Sequence, residues 1–428
     1  MLTKQYVYVY LGLVAGLLTR YTAMIRALRE RVANGLSSMS LPEIGVQLRN
    51  HSFRSRFAEF KPAGNEYQGM SSFLKALLRY YLARNESSNA VFRNLETADD
   101  QVDENIRFQY PLVLPQGCER ARSVIFLLHG LNERSWDKYL PWACRLAQVT
   151  GSAVALFPLS FHVNRAPAAW SNPRLMHRIS RERKELFPGL KSSSFANAAI
   201  SARLHLVPQR LCYSGLQSMK DLMDLVGEIR TGRHSSVRPD ARIDVFGYSI
   251  GGLVGELLLL AHEGTELPES RLVLFCGGAT LDLSYPISPA ILDSEALRSI
   301  EGYYGPDFDL RLRSDDRLSR TLALHQREAE VFLLLADSRR NAAERRFRFS
   351  KIRDKVRTIC LSRDAVIPPS SVMRTVNGDA ETCDSLDSEL DFPYTYSHEI
   401  PFPVGAGRED EVDCAFEQTF APACEFLA

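Results

Sequence analysis

Ser249 stands in Gly247-Tyr248-Ser249-Ile250-Gly251, where the apolar run 242–248 ends. A serine hydroxyl is a weak nucleophile until an imidazole takes its proton, and a carboxylate must fix that imidazole's tautomer. Asp364 ends the apolar segment 355–364, 115 residues after Ser249, and His398 follows Asp364 by 34. Of nine histidines, His398 alone comes after Asp364. The order Ser, Asp, His points to acyl transfer. Ser249 would attack a carbonyl, His398 would take its proton and give it to the leaving group, and Asp364 would orient His398. Asp282 and Asp293, after the preceding strand, are alternative acids. A turn-capping Asp364 and an exposed His398 are the plain readings.

The glycines have a steric reason. A nucleophile on a tight strand-to-helix turn has strained dihedrals, and side chains two before and two after it would collide with the passing chain. The helix that follows aims backbone N–H groups at developing negative charge. A second set of donors is expected at the end of an earlier strand, and "FLLHGLNERSW" (126–136) supplies it through His129-Gly130. The expected oxyanion-hole donors are the N–H groups of Leu131 and Ile250, with His129 holding the loop. Trp136, Tyr139 and Trp142 follow this loop, and Asn164, Arg165 and Trp170 follow the next strand. Trp136, Trp170 and the cation Arg165 are candidate substrate contacts, as are His129 and Tyr248. Loop packing is the alternative.

The elements that must position these residues read as alternating strands and helices from about residue 102. Segments 105–115, 122–130, 151–160, 242–249, 270–278 and 355–364 read as strands, with 392–400 shorter and more polar. Segments 214–230 and 250–263 read as helices. This is an α/β pattern, a mostly parallel sheet with helices on both faces. The Arg-rich stretch of about 280–354 has no strong strand and reads as a helical cap inserted above the strand ends. Residues 1–100 read as a helical N-terminal extension, and 101–428 as the main domain. The acidic stretch 379–391 reads as a mobile loop.

The composition is that of a globular chain: 428 residues, 45 % hydrophobic, 24 % charged and a net charge of +1. That excludes a whole-chain case for nucleic acid. Charge is uneven, however. Residues 1–60 carry eight Lys/Arg against three acids, 311–357 fourteen against seven, and 379–428 one against thirteen. Solvated faces that compensate one another account for this. None of the eight cysteines forms a C-x-x-C pair, and no metal-ligand spacing or phosphate loop stands out. No metal or cofactor is called for. Reduced thiols favour the cytoplasm. The apolar stretch 6–18 is too short for the ~20 residues that span a bilayer, and leaves membrane association or export open. Leu17, Tyr21, Met24, Leu28 and Val32 then recur at helical spacing among arginines. That amphipathic helix is expected to pack on the main domain, with peripheral membrane contact as the alternative. Oligomeric state is not indicated.

Residues 102–425 resemble the α/β-hydrolase superfamily. The resemblance rests on His129-Gly130, the elbow 247–251, the strand ending in Asp364, and His398. The pairing of "HGLNERSWDKYLPWA" with "FPLSFHVNRAPAAW" resembles an uncharacterised bacterial subgroup. The resemblance implies a serine hydrolase of esterase or lipase type acting on a small acyl substrate. It implies Ser249 as nucleophile, Asp364 as acid, His398 as base, and backbone donors at Leu131 and Ile250. An acyltransferase using the same residues and a non-catalytic binding protein are the alternatives.

Overall fold

The computed structural model describes residues 20–32, 38–57, 99–377, 387–405 and 407–428. Nine strands form one sheet: β1 (Met39–Leu41), β2 (Val46–Arg54), β3 (Arg107–Pro115), β4 (Ala121–Leu128), β5 (Ala153–Leu156), β6 (Val237–Tyr248), β7 (Leu272–Phe275), β8 (Val356–Leu361) and β9 (Ser388–Leu390). Their order is β1-β2-β3-β5-β4-β6-β7-β8-β9. The first three strands join antiparallel, and β3 is antiparallel to β5. From β5 to β9 every pairing is parallel. The crossover of β5 outside β4 and the parallel run beyond it are those of the α/β-hydrolase fold.

The central strands are continuous apolar runs because both faces are covered. Along β4, Val124, Phe126 and Leu128 enter one core, and Ile125 and Leu127 enter the other. That is the two-residue period of a strand. The first core is closed by α5 (Arg210–Arg230) and α6 (Ile250–His262). The second is closed by α1 (Tyr21–Val32), α2 (Tyr139–Thr150) and α13 (Glu409–Leu427). Between β5 and β6, α3 (Pro173–Leu186) and α4 (Ala198–Leu206) precede α5. Between β7 and β8 the chain forms α7 (Ser294–Tyr304), α8 (Phe308–Ser314), α9 (Asp316–Leu324), α10 (Gln326–Ala336) and α11 (Ala342–Lys351), and α12 (Pro369–Asn377) follows β8. The stretch expected as an inserted cap is thus helical, and α10 packs on α6.

Two expectations are corrected. Residues 39–54 are not a helical extension but strands of the sheet; β2 pairs with β3 over its whole length. Their mixed polarity is that of outer strands with partial exposure, where only some positions, such as Val46, Leu48 and Phe53, are buried. The last strand is not 392–400 but β9, inside the stretch expected as an acidic loop. Residues 392–400 are irregular, as suits a segment with Pro393 in it and Pro401 after it. The helix 21–32 forms as expected. Tyr21, Met24, Ile25 and Leu28 are buried against the second core, and Thr22 N–H and Oγ1 donate to Asp413 at 2.8 and 3.0 Å. Its apolar face is therefore already occupied; Leu17 and the stretch 6–18 lie outside the described residues. Among the described residues no helix is long and apolar enough to cross a membrane.

Candidate active site

Ser249 sits between β6 and α6 with φ 58° and ψ −124°. A non-glycine residue there costs on the order of 1–3 kcal/mol and persists only when its surroundings enforce it. Here they do. The Ser249 N–H donates to Phe275 O at 3.3 Å, and Ser249 O accepts from Gly252 N at 2.9 Å. A Cβ on Gly247 would lie 2.7 Å from Gly251 O, and one on Gly251 would lie 2.6 Å from the Leu128 carbonyl carbon. The two glycines are therefore required by backbone closeness, as the spacing implied.

Asp364 follows β8 and His398 lies eight residues past β9. His398 Nε2 is 2.7 Å from Ser249 Oγ, and His398 Nδ1 is 2.7 Å from Asp364 Oδ2. All three side chains are buried. The other carboxylate oxygen of Asp364, Oδ1, accepts the N–H groups of Val366 and Ile367 at 2.9 Å each. An ionised Asp364 can only accept, so the proton belongs on Nδ1, and Nε2 is left to accept from the serine hydroxyl. The Tyr248 hydroxyl donates to the His398 carbonyl, and its ring stacks on the imidazole at 5.5 Å. Burial lifts the Tyr248 hydroxyl well above its ordinary range, so it stays a donor. Burial, reinforced by the adjacent Asp364 carboxylate, does the same to Cys276, which stays a neutral thiol.

The loop after β4 is fixed from several sides. His129 Nε2 accepts from Leu159 N–H at 2.9 Å, while Nδ1 donates to Gly130 O at 2.8 Å. Burial, with His162 nearby, holds His129 well below the usual imidazole range, so it is neutral with one donor and one acceptor nitrogen. Gly130 N–H donates to Tyr139 Oη at 3.0 Å, which donates to Glu133 Oε1 at 2.8 Å. Asn132, with φ 64°, donates to Ala196 O and Ala290 O at 3.0 and 2.6 Å. Leu131 and Ile250 line the space at Ser249. As the first residue of α6, Ile250 has no intrahelical acceptor for its N–H.

That space, about 600 Å³ with its opening to solvent counted, is walled by Ser249, Leu131, Leu297, Val366 and Ile367 among others. A second chamber, about 730 Å³ counted in the same way, shares Leu131, Leu211, Ile250 and Leu253 with it. Trp170 lines this second chamber. Arg165 does not meet substrate space. It is wholly buried, with its guanidinium on Asp221 Oδ2 at 2.7 Å, Pro158 O at 3.0 Å and Asn105 O at 3.0 Å. Trp136, buried against the ring of His129 at 5.5 Å, lines neither chamber, and nor do His129 and Tyr248. These four expected contacts are corrected to supports of the loop, the histidine or the core. The alternative acids are engaged elsewhere. Asp282 accepts from Ser338, and Asp293 caps α7 and pairs with Arg183. Among residues the sequence did not single out is Lys138, whose Nζ donates to Glu399 O at 3.0 Å beside His398 and lies 4.8 Å from the Tyr248 ring centre. Gly277 is another, because a Cβ there would lie 3.0 Å from Ser249 O. Closeness to the His-Gly loop was the one signal available for Lys138.

A family model described as a family of unknown function, DUF6051, matches residues 19–428. The chain belongs to this family. No curated protein matches it in sequence. Among solved structures, it is similar to a thermostable esterase from Pseudomonas putida ECU1011, with 10 % identity and a TM-score of 0.43 over 94 % of this chain and 90 % of that one. It is also similar to carboxyl esterase 2 from the mycorrhizal fungus Tuber melanosporum, with 12 % identity and a TM-score of 0.39 over 74 % and 80 %. An esterase from Rhizomucor miehei has 13 % identity and a TM-score of 0.37 over 75 % and 80 %.

Proposed function

We propose that this DUF6051 chain is a serine hydrolase that cleaves a carboxylic ester or a related acyl compound. The observation that carries the reading is the unbroken path from Ser249 Oγ through His398 to Asp364, with both contacts at 2.7 Å. His398 Nε2 takes the Ser249 proton as Oγ attacks the carbonyl carbon. The negative charge that develops on the carbonyl oxygen is met by the N–H groups of Leu131 and Ile250, at the end of α6 that carries partial positive charge. The imidazolium then gives its proton to the leaving oxygen. Water enters, loses a proton to the same nitrogen as its oxygen bonds to the acyl carbon, and the imidazolium returns that proton to Ser249 Oγ as the acid leaves. Asp364 keeps its charge throughout and holds Nδ1–H in place.

A fluorophosphonate probe tests this directly. The wild type is expected to be labelled on Ser249 and Ser249→Ala is not, with hydrolysis of p-nitrophenyl esters lost in parallel. A wild type that takes no label and turns over no ester overturns the proposal.

A further inference from the structure

We infer that the acyl part of the substrate is an apolar chain held in the α5–α6 chamber, while the leaving group occupies the separate space under α7; this rests on the serine hydrolase reading. Ser249 lines the space under α7, and the two spaces meet at Leu131, Leu211, Ile250 and Leu253. The sheet order puts β4 and β5 on one side of β6 and puts β8 and β9, which lead to Asp364 and His398, on the other. The leaving oxygen must lie against His398 Nε2 to receive a proton. Its substituent is therefore directed to the side of Val366 and Ile367, whose N–H groups hold Asp364, and into the space closed by Leu297 and Ile300. The acyl chain leaves the same carbon on the other side, across Leu131 and Ile250, toward the chamber bounded by the β5 loop, α4, α5 and α6.

That chamber is built for carbon. Its exposed lining is almost wholly apolar although serines and arginines stand around it. Several of their polar atoms are engaged elsewhere. Ser218 Oγ donates to Ser214 O at 2.7 Å and accepts from Ser160 N–H at 2.9 Å. Ser160 Oγ contacts Gln217 Oε1 at 2.8 Å and Asn105 Oδ1 at 3.0 Å. Arg203 pairs with Asp99. A polar acyl chain would find only the unpaired His162 Nε2 and Trp170 Nε1 to exchange for its lost hydration among the described residues, whereas an alkyl chain is favoured by about 0.8 kcal/mol for each methylene buried. Ile250 and Leu257 are two turns apart on α6, so the chamber runs about 11 Å from the elbow. A chain of medium length fits that reach.

The test varies acyl length, from two to twelve carbons, and alcohol size independently. Leu257→Trp fills the far end of the chamber, and Ile200→Phe narrows it from α4. Both are expected to lower kcat/KM for the longest acyl chains by about tenfold or more while leaving acetyl esters within about threefold. Leu297→Trp is expected to change the alcohol preference instead. Fluorophosphonate labelling of Ser249 in each variant reports that the site is intact. If labelled Leu257→Trp and Ile200→Phe shift the alcohol preference, or shift neither, the inference is overturned while the hydrolase reading stands. A wild type that takes no label and turns over no ester removes both.

Discussion

Glu256 lies on α6, two turns beyond Ser249, wholly buried, with neither carboxyl oxygen hydrogen-bonded among the described residues. Burial drives its pKa from an ordinary 4.5 up to about 8; the positive charge of Arg345 only partly opposes this. The folded protein therefore holds a proton that the unfolded chain has already released, throughout the interval from 4.5 to about 8. The sign follows: stability is complete below 4.5 and is lost as pH rises toward 8. At 1.36 kcal/mol for each tenfold in proton affinity, the loss is capped at about 5 kcal/mol. Between pH 5 and pH 8 it amounts to about 3 to 4 kcal/mol. Glu256→Gln keeps the shape and removes the titration. Melting curves of both proteins from pH 5 to pH 8.5 should run close together at the acid end and separate toward alkali. There the variant should melt higher, by on the order of 3–5 °C. All other titrating groups cancel in the difference. Parallel profiles, or a variant that melts lower at pH 8, would refute the argument that Glu256 is carried into the fold as a neutral acid.

Asp364→Asn leaves Nδ1 facing an amide and favours the wrong imidazole tautomer; kcat for ester hydrolysis should fall by about 10⁴ with the fold intact by circular dichroism. Tyr139→Phe strips the buried Gly130 N–H of its acceptor. It should cost about 1–3 kcal/mol in denaturant unfolding and lower kcat more than it raises KM. Arg165→Met removes the cation that offsets burial of Asp221, whose pKa burial already pushes up to about 6. A loss of about 3–5 kcal/mol in the same unfolding assay is expected, with the acyl-length profile of the remaining active protein unchanged.

The site was legible in the sequence where local rules decide it. The glycines flanking Ser249 are demanded by backbone atoms a few residues or one strand away, and the order of Asp364 and His398 follows from which strands must precede them. The supports were not legible. Arg165 looked available because nothing near it in sequence is acidic; its partner Asp221 is 56 residues on, in a helix whose register against the loop only the folded core fixes. Trp136 reads as a pocket wall until the packing shows it turned under the loop. The outer strands β1 and β2 were hidden for another reason. They are short or only partly buried, so their apolar residues give neither a continuous run nor a clean alternation. β9, with three residues in an acidic stretch, gives no pattern at all.

The pairing of α1 with α13 sets an order on biosynthesis. Tyr21 stacks on Phe416 at 4.6 Å, and Thr22 bonds to Asp413, 391 residues later. Helix α1 is therefore made long before its partner α13, and the core they share with α2 and the sheet stays open until both are made. His398 also emerges after Ser249, by 149 residues. A nascent chain of this protein holds Ser249 and part of its walls before it has His398 or the helix that closes the face behind it. The Ser249–His398 contact forms only after His398 has been made, and a chain halted short of α13 would present an uncovered apolar face to whatever surveys unfinished proteins.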